Sequence, residues 1–281
     1  MRDLSVIIPY FNPCHWKTRL SNHLISLQEL SKQGAIVHTI ECTTDFFETD
    51  SNFKIHSNSI LWQKERLINE VFTKLDTEYV AWVDSGLLFL DNNWVEGVCK
   101  LLRENDFVQL FGKLKHFNSD NTTFFTDNVS CIISSKGYPG GAWATRLDKI
   151  KQTGLYDANI IGGGDCIFFN GIFNRPTEQD VLHWAGYTEE RKSHNREWKS
   201  KFLSIFPTSK LSYYNQECNH LYHGSFPDRK YYDRHSLLIK HNFNPYLDIC
   251  ITKGVWEWNS DKPELHKEVE KYFFDRNEDV T

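Results

Sequence analysis

Apolar and polar positions change period repeatedly along the first half of the chain. Residues 4–9 (LSVIIP) form a short unbroken apolar run rich in β-branched side chains, which predicts a strand buried on both faces. Asn12 and Pro13 close that run with turn signals. Over residues 16–33 leucines recur at helical intervals (Leu20, Leu24, Leu27, Leu30), and Gly34 stops the pattern before a strand at 35–40. The same order returns as a helix at 61–75, a strand at 79–83, a helix at 94–105 and a strand at 107–111. Alternation of this kind predicts an α/β fold, Rossmann-like, with a mostly parallel central sheet flanked by helices. The strand ends at 9–12 and 83–86 would share the carboxyl edge of that sheet, where open α/β sheets bind ligands.

Beyond Asn128 the regularity fades into VSCIISS, a Gly-rich passage and a polar, aromatic stretch at 173–214. No Pro/Gly/Ser-rich linker cuts the chain. The expectation is one domain over 1–235, with halves at 1–127 and 128–235, and a helical C-terminal extension at 236–281 packed on it, including a helix at 261–274. Charged residues at 25% and hydrophobic ones at 40% match an ordinary folded protein and exclude a disordered one. The net charge of −5 supplies no global attraction to nucleic acid or to an anionic membrane. Seven cysteines, odd in number and without a CxxC pair, argue against a disulfide framework or a structural zinc and for reduced thiols. No stretch reaches the roughly 18 apolar residues of a membrane span, and the first apolar run is too short for a signal-peptide core, so a soluble cytoplasmic protein is expected.

Three constellations could carry chemistry. Asp84, in YVAWVDSGLLF, follows a buried strand directly, so its carboxylate would project into the ligand crevice, where a divalent cation bridging two phosphates wants oxygen ligands. An Asp that caps a turn with Ser85 and Gly86 accounts for the same text. His220 and His223, in HLYHG, are three residues apart on a turn or helix and could aim two imidazoles at one ion, although such a pair is also common as structure. Asp165 follows the glycine cluster Gly162-Gly163-Gly164 at the head of an apolar run at 166–169, where a helix N-terminus would present it, as a reactive carboxylate or as a cap.

These residues also carry a family resemblance. The passage 137–165, with Gly140-Gly141, the helix-like stretch 147–152, Gly154-Leu155-Tyr156-Asp157 and Ile161-Gly162-Gly163-Gly164-Asp165, resembles glycosyltransferases of the GT-A fold, of the β-1,4-galactosyltransferase and polypeptide N-acetylgalactosaminyltransferase type. Ile161 and Gly164 stand where that family's W-G-G-E-[DN] motif has Trp and Glu. WQKERLIN at 62–69 is similar to the helix that precedes the metal strand in galactosyltransferases, and SVIIPYFN is similar to the first strand of family 2 glycosyltransferases. VDSG replaces the D-x-D or D-x-H element, so Gly86 cannot act as a ligand.

The resemblance implies a metal-dependent enzyme that moves a sugar from a nucleotide diphosphate sugar, by family habit a UDP-sugar, to an acceptor hydroxyl. Asp84, His220 and His223 would hold Mn²⁺ or another divalent cation. Asp165 would be the general base, which implies inversion at the anomeric carbon; retention, as in the polypeptide transferases, stays open. The donor would meet Pro9, Tyr10, Phe11, Asn12 and Glu41 around base and ribose. Gln63, Lys64, Arg66, Gly141, Trp143, Gly163, Gly164, Arg229 and Lys230 complete the expected donor site.

A nucleotidyltransferase would open with a Gly-rich phosphate loop, which PYFNPCH is not, and a catalytically silent sugar-binding module is the second alternative. The acceptor is a glycan or, with less support, modified DNA. Residues 191–210 carry six basic side chains against the single acid Glu197 among aromatic neighbours, so Arg191, Lys192, Arg196 and Lys199 are candidates for phosphate contacts. A solvated helix at 189–202 with its aromatic residues in the core explains the same composition.

Overall fold

The computed structural model describes residues 3–118, 120, 122–175, 187–225, 227–230 and 234–279. The apolar run at the start becomes β1 (Leu4–Phe11), followed by α1 (Lys17–Lys32) and β2 (Ile36–Thr43), which lies parallel to β1 from Ser5 opposite Ile36 to Phe11 opposite Cys42. Next come β3 (Phe53–His56), α2 (Lys64–Phe72), β4 (Tyr79–Val83), β5 (Leu87–Phe89), α3 (Trp94–Leu102) and β6 (Phe107–Gln109). The middle of the chain holds β7 (Lys113–Phe117), β8 (Thr123–Val129), β9 (Ala142–Arg146), α4 (Leu147–Thr153) and α5 (Gly164–Ile172). The remainder forms α6 (Glu189–Ile205), β10 (Leu211–Tyr213), β11 (Glu217–His220), α7 (Arg234–Lys240), β12 (Ile249–Thr252), β13 (Val255–Trp258) and α8 (Pro263–Phe274).

The main sheet runs β10-β6-β9-β4-β1-β2-β3, and every neighbouring pair is parallel except the two that β9 makes with β4 and β6. This is the α/β architecture that the alternating periods predict. A buried strand sends successive side chains to opposite faces, and the core divides accordingly. Leu4, Val6 and Ile8 of β1, with Tyr79, Ala81 and Val83 of β4, meet α1 and α3 through Leu30, Trp94, Val98 and Leu102. Ile7 and Phe11, with Val80 and Trp82, meet the other layer of α2, α4, α5, α6 and α8. No helix among the described residues is long and apolar enough to cross a membrane. All seven cysteines are free thiols.

Several expectations change. The helix expected at 61–75 spans only Lys64–Phe72, and that at 94–105 ends at Leu102. The leucine stripe of α1 is only partly its buried face: Leu30 is buried but Leu24 is 48% exposed, and the other buried positions are the polar Asn22, His23 and Ser26. The reason is polar docking. Ser26 Oγ accepts from the Gly86 N–H (2.8 Å), and Asn22 Nδ2 donates to the Tyr222 carbonyl (2.8 Å). A second sheet, β5-β11-β7-β8, leaves little trace in the periodicity because β7 (KLKHF), β8 (TFFTDNV) and β11 (ECNH) carry no continuous apolar run. The region 236–281 is not purely helical: β12 and β13 form a hairpin whose two linking residues, Lys253 and Gly254, both have positive φ, as a tight primed turn requires.

The polar, aromatic stretch resolves into core packing. Thr188 caps α6 by accepting from the Arg191 N–H, Phe202 and Phe206 are buried, and Phe173, Tyr187 and Trp198 pack against the same core. Trp184 lies outside the described residues. Arg191 is itself buried, its guanidinium 3.7 Å from the centroid of the Tyr187 ring. Lys192 pairs with Glu189 (2.6 Å), and Lys199 donates to the Arg175 carbonyl. Arg191 is therefore withdrawn from any phosphate backbone, whereas Arg196 lies exposed on the same helix.

Candidate active site

A cavity of about 310 Å³ lies at the carboxyl edge of the main sheet. Its walls are the end of β1 (Pro9, Tyr10, Phe11), the turn after β4 (Asp84, Ser85) and the approach to β9 (Tyr138, Pro139, Gly140). The first turns of α2 and α5 add Lys64 and Asp165, and the loop after β11 adds Arg229. The antiparallel pairing of β9 with β4 creates this corner, because it sets Ala142 opposite Val83 and lets the Asp84 N–H donate to the Gly141 carbonyl at 2.8 Å. Gly163 caps α5 at φ +97°, a conformation that suits glycine, and so turns Asp165 into the cavity in the helix's first turn. Gly140 permits the closeness: a Cβ there would lie 3.0 Å from Oδ2 of Asp165.

Between the two carboxylates sits one ammonium. Lys64 Nζ is 2.7 Å from Asp84 Oδ1, 2.9 Å from Asp165 Oδ1 and 3.1 Å from Asp165 Oδ2. Burial alone would push Lys64 down, but Asp165 and then Asp84 hold it well above its ordinary value, so it is charged. Burial raises the carboxyl of Asp84, with Lys64 opposing. Glu65, next along α2, is fully enclosed and receives the Trp62 indole N–H at 3.0 Å; burial raises its carboxyl to about 7.

On the opposite wall, His220 ends β11 and stands in a row of rings, 4.6 Å from His116 and 5.0 Å from His223 between centroids. His223 Nδ1 is 3.1 Å from Glu278 Oε2, and its Nε2 is 3.0 Å from an Arg229 guanidinium nitrogen. A carboxylate accepts and a guanidinium donates, so Nδ1 carries the proton and Nε2 accepts. Burial, reinforced by Arg229, lowers His223 to about 4 and keeps it neutral. Glu278 is buried between Arg19 (2.7 Å) and Arg276, and these arginines, before His223, hold it well below the usual carboxylate range against the opposing effect of burial.

Ten of the residues expected from sequence line this cavity: Pro9, Tyr10, Phe11, Lys64, Asp84, Gly163, Asp165, His220, His223 and Arg229. The other eight do not. The amide of Asn12 is spent on Tyr10, Glu48 and the Trp16 carbonyl. Glu41 accepts from the backbone N–H groups of Glu48 and Thr49 and from the Thr49 hydroxyl, which makes it a loop anchor. Gln63 bonds the Trp256 backbone in both directions, and Arg66 pairs with Asp157. Trp143 is buried, with its indole on the Pro139 carbonyl. Gly141 serves Asp84 through its carbonyl, Lys230 is exposed, and Gly164 faces Glu65.

Asp84, His220 and His223 share the cavity but do not form the expected metal set. Lys64 already occupies the approach to Asp84, and His223 is engaged at both nitrogens. No three His, Cys, Asp or Glu side chains among the described residues are grouped to hold an ion. The donors present therefore do not fit a divalent cation in this arrangement. Three lining arginines escaped the sequence reading: Arg19, Arg234 and Arg276. Arg19 sits near the start of α1 and Arg276 follows α8, so only the packing of the chain's two ends brings them together.

No protein-family model matches the chain, and no curated protein matches it. Among solved structures it is similar to the catalytic domain of Drosophila β1,4-galactosyltransferase 7 in complex with xylobiose, at 18% identity over 62% of either chain and a TM-score of 0.37. It is also similar to residues 1–349 of Staphylococcus aureus TarS in complex with UDP-GlcNAc (13% identity, 79% of this chain and 59% of that one, TM-score 0.42). A third is 4-diphosphocytidyl-2C-methyl-D-erythritol synthase of Anaerococcus prevotii (15%, 77% and 90%, TM-score 0.35). The chain thus spans 62% of the length of the galactosyltransferase structure.

Proposed function

We propose that the chain is a glycosyltransferase of the GT-A kind, which moves a sugar from a nucleotide diphosphate sugar to an acceptor hydroxyl with Asp165 as general base. One observation carries this reading: Asp84 and Asp165 meet around a single ammonium in a cavity at the carboxyl edge of a parallel sheet, where such sheets bind ligands. Asp165 is one-third exposed, so an acceptor can reach it while the Lys64 contact orients its carboxylate.

In this reaction the acceptor oxygen forms a bond to the anomeric carbon as the bond from that carbon to the phosphate oxygen breaks. The electron pair leaves with the nucleoside diphosphate, and the hydroxyl proton passes to Asp165. Attack opposite the leaving group inverts the anomeric centre. The indole of Trp62, on the cavity wall, offers an apolar face of the kind that stacks on a sugar ring. A glycan is the acceptor in this reading; of the basic residues of α6, Arg191 is buried, Lys192 pairs with Glu189 and Lys199 donates to the Arg175 carbonyl, which leaves less support for a nucleic acid.

The test is to incubate the protein with a panel of nucleotide sugars and oligosaccharide acceptors, and to identify both products. Release of a nucleoside diphosphate with a glycosylated acceptor of opposite anomeric configuration supports the reading. Release of pyrophosphate from a nucleoside triphosphate and a sugar phosphate would mean nucleotidyl transfer and overturn it. Binding of sugars without turnover would mark a silent module.

A further inference from the structure

The following rests on the nucleotide-sugar reading above and concerns how the leaving diphosphate is neutralised. We propose that the cavity binds the diphosphate with the chain's own cations, Lys64, Arg19, Arg229 and Arg276, and that donor binding and transfer require no divalent metal.

The first ground is the position of Lys64. Its backbone is the first residue of α2, its side chain is only 12% exposed, and its Nζ bridges two carboxylates that belong to different elements. A divalent ion seeking Asp84 would have to expel this ammonium from a poorly hydrated site, where opposite charges at contact interact far more strongly than in water. A diphosphate has the opposite relation to Lys64: it adds negative charge beside a cation that is already in place.

The second ground is the composition of the cavity wall. Among the described residues, five cationic side chains (Arg19, Lys64, Arg229, Arg234, Arg276) face it against two carboxylates, Asp84 and Asp165. Glu278, which pairs with Arg19 and Arg276, is not among the lining residues, so those guanidinium groups are held from behind. Guanidinium groups bind phosphate oxygens through paired N–H donors, and a fixed fork loses little freedom when it does so. Arg19 also donates to the Phe11 carbonyl at 3.1 Å, which fixes it at the end of β1.

The third ground is His223. Its two nitrogens are used by Glu278 and Arg229, so it acts as a link in the network that positions Arg229, and metal binding would break that link.

The experiment is calorimetric titration of the full chain with uridine, guanosine, adenosine and thymidine diphosphates, each in excess chelator and in manganese. The expected result is one diphosphate that binds equally under both conditions. Lys64→Met should weaken that binding by about tenfold or more under both, the scale of a lost charge-assisted hydrogen bond, and Lys64→Arg should recover part of it. Arg19→Gln, remote from the Lys64 contact, should also weaken binding and so guards against a Lys64→Met variant that fails to fold. Binding that appears only with manganese, or wild-type binding by both Lys64→Met and Arg19→Gln, overturns the proposal and leaves the glycosyltransferase reading standing. Failure of all four diphosphates under both conditions overturns the nucleotide-sugar reading and this inference with it.

Discussion

The ammonium of Lys64 lies 2.7 Å from Oδ1 of Asp84, so the aspartate at the end of the central strand is held by a lysine from the first turn of α2. The same Nζ reaches Asp165, and this three-residue bridge joins the turn after β4 to the first turns of α2 and α5.

Asp165→Asn preserves the size of the side chain and its place in the first turn of α5 but removes the proton acceptor. Transfer should fall by about 10²–10⁴-fold, the usual contribution of a general base. Nucleoside diphosphate binding should persist. Steady-state rates together with a binding titration check this, and turnover close to that of the parent would remove Asp165 from the mechanism.

Gly164 and Glu65 compete for one volume: a Cβ on Gly164 would lie 2.4 Å from the Glu65 carboxyl carbon. Gly164→Ala should therefore destabilise by about 1–3 kcal/mol, as overpacking of a filled interior does. Glu65→Ala in the same chain should relieve most of that cost. Denaturant unfolding of the two single variants and the double variant gives the coupling directly, and additive effects would show that the two residues do not share space.

His23 is buried against Tyr10 and bonded to Ser85, with Nε2 unpartnered among the described residues, and burial lowers it to about 4. Because the unfolded chain takes up this proton first, the contribution of His23 to stability is complete above about pH 6.5. It is lost as pH falls from there toward 4, amounting to on the order of 3 kcal/mol. His23→Gln should flatten the fall of stability across that window. Melting temperatures from pH 4 to 8 test it, and an unchanged slope would place the acid sensitivity elsewhere.

Glu278 is fully buried and is shared by Arg19, Arg276 and His223. Glu278→Gln leaves two guanidinium groups without their anion and should cost about 3–5 kcal/mol. The glutamate's own contribution is present above the ordinary carboxylate pKa and is lost as pH falls through its depressed folded value. Chemical unfolding of the variant at neutral pH measures the cost, and a loss below 1 kcal/mol would mean that water replaces the carboxylate.

Periodicity by itself determined the parallel sheet, because buried strands must be apolar on both faces and the helices between them must show a 3.6-residue repeat. It likewise placed Asp84 at a strand end and Asp165 at a helix start, since both positions follow from local rules about where apolar runs begin and stop. What local rules cannot carry is distance between segments. The antiparallel insertion of β9, which brings Gly140 against Asp165, depends on pairing with strands some 60 and 35 positions earlier, a non-local choice decided by the whole sheet.

The burial of α1 shows the same division. Its leucine spacing reads as a core stripe, yet polar docking through Asn22 and Ser26 leaves Leu24 exposed and only Leu30 of that stripe fully buried. Lys64 was legible as a donor contact and not as the bridge between two carboxylates, and Arg276 and Glu278 left no local signal at all. Charge partners separated by more than two hundred residues, such as Arg19 and Glu278, are selected by the closing of the chain's ends around the cavity. Only the tertiary structure could decide them, because an ion pair forms wherever packing brings two charges within reach, whatever their separation in sequence.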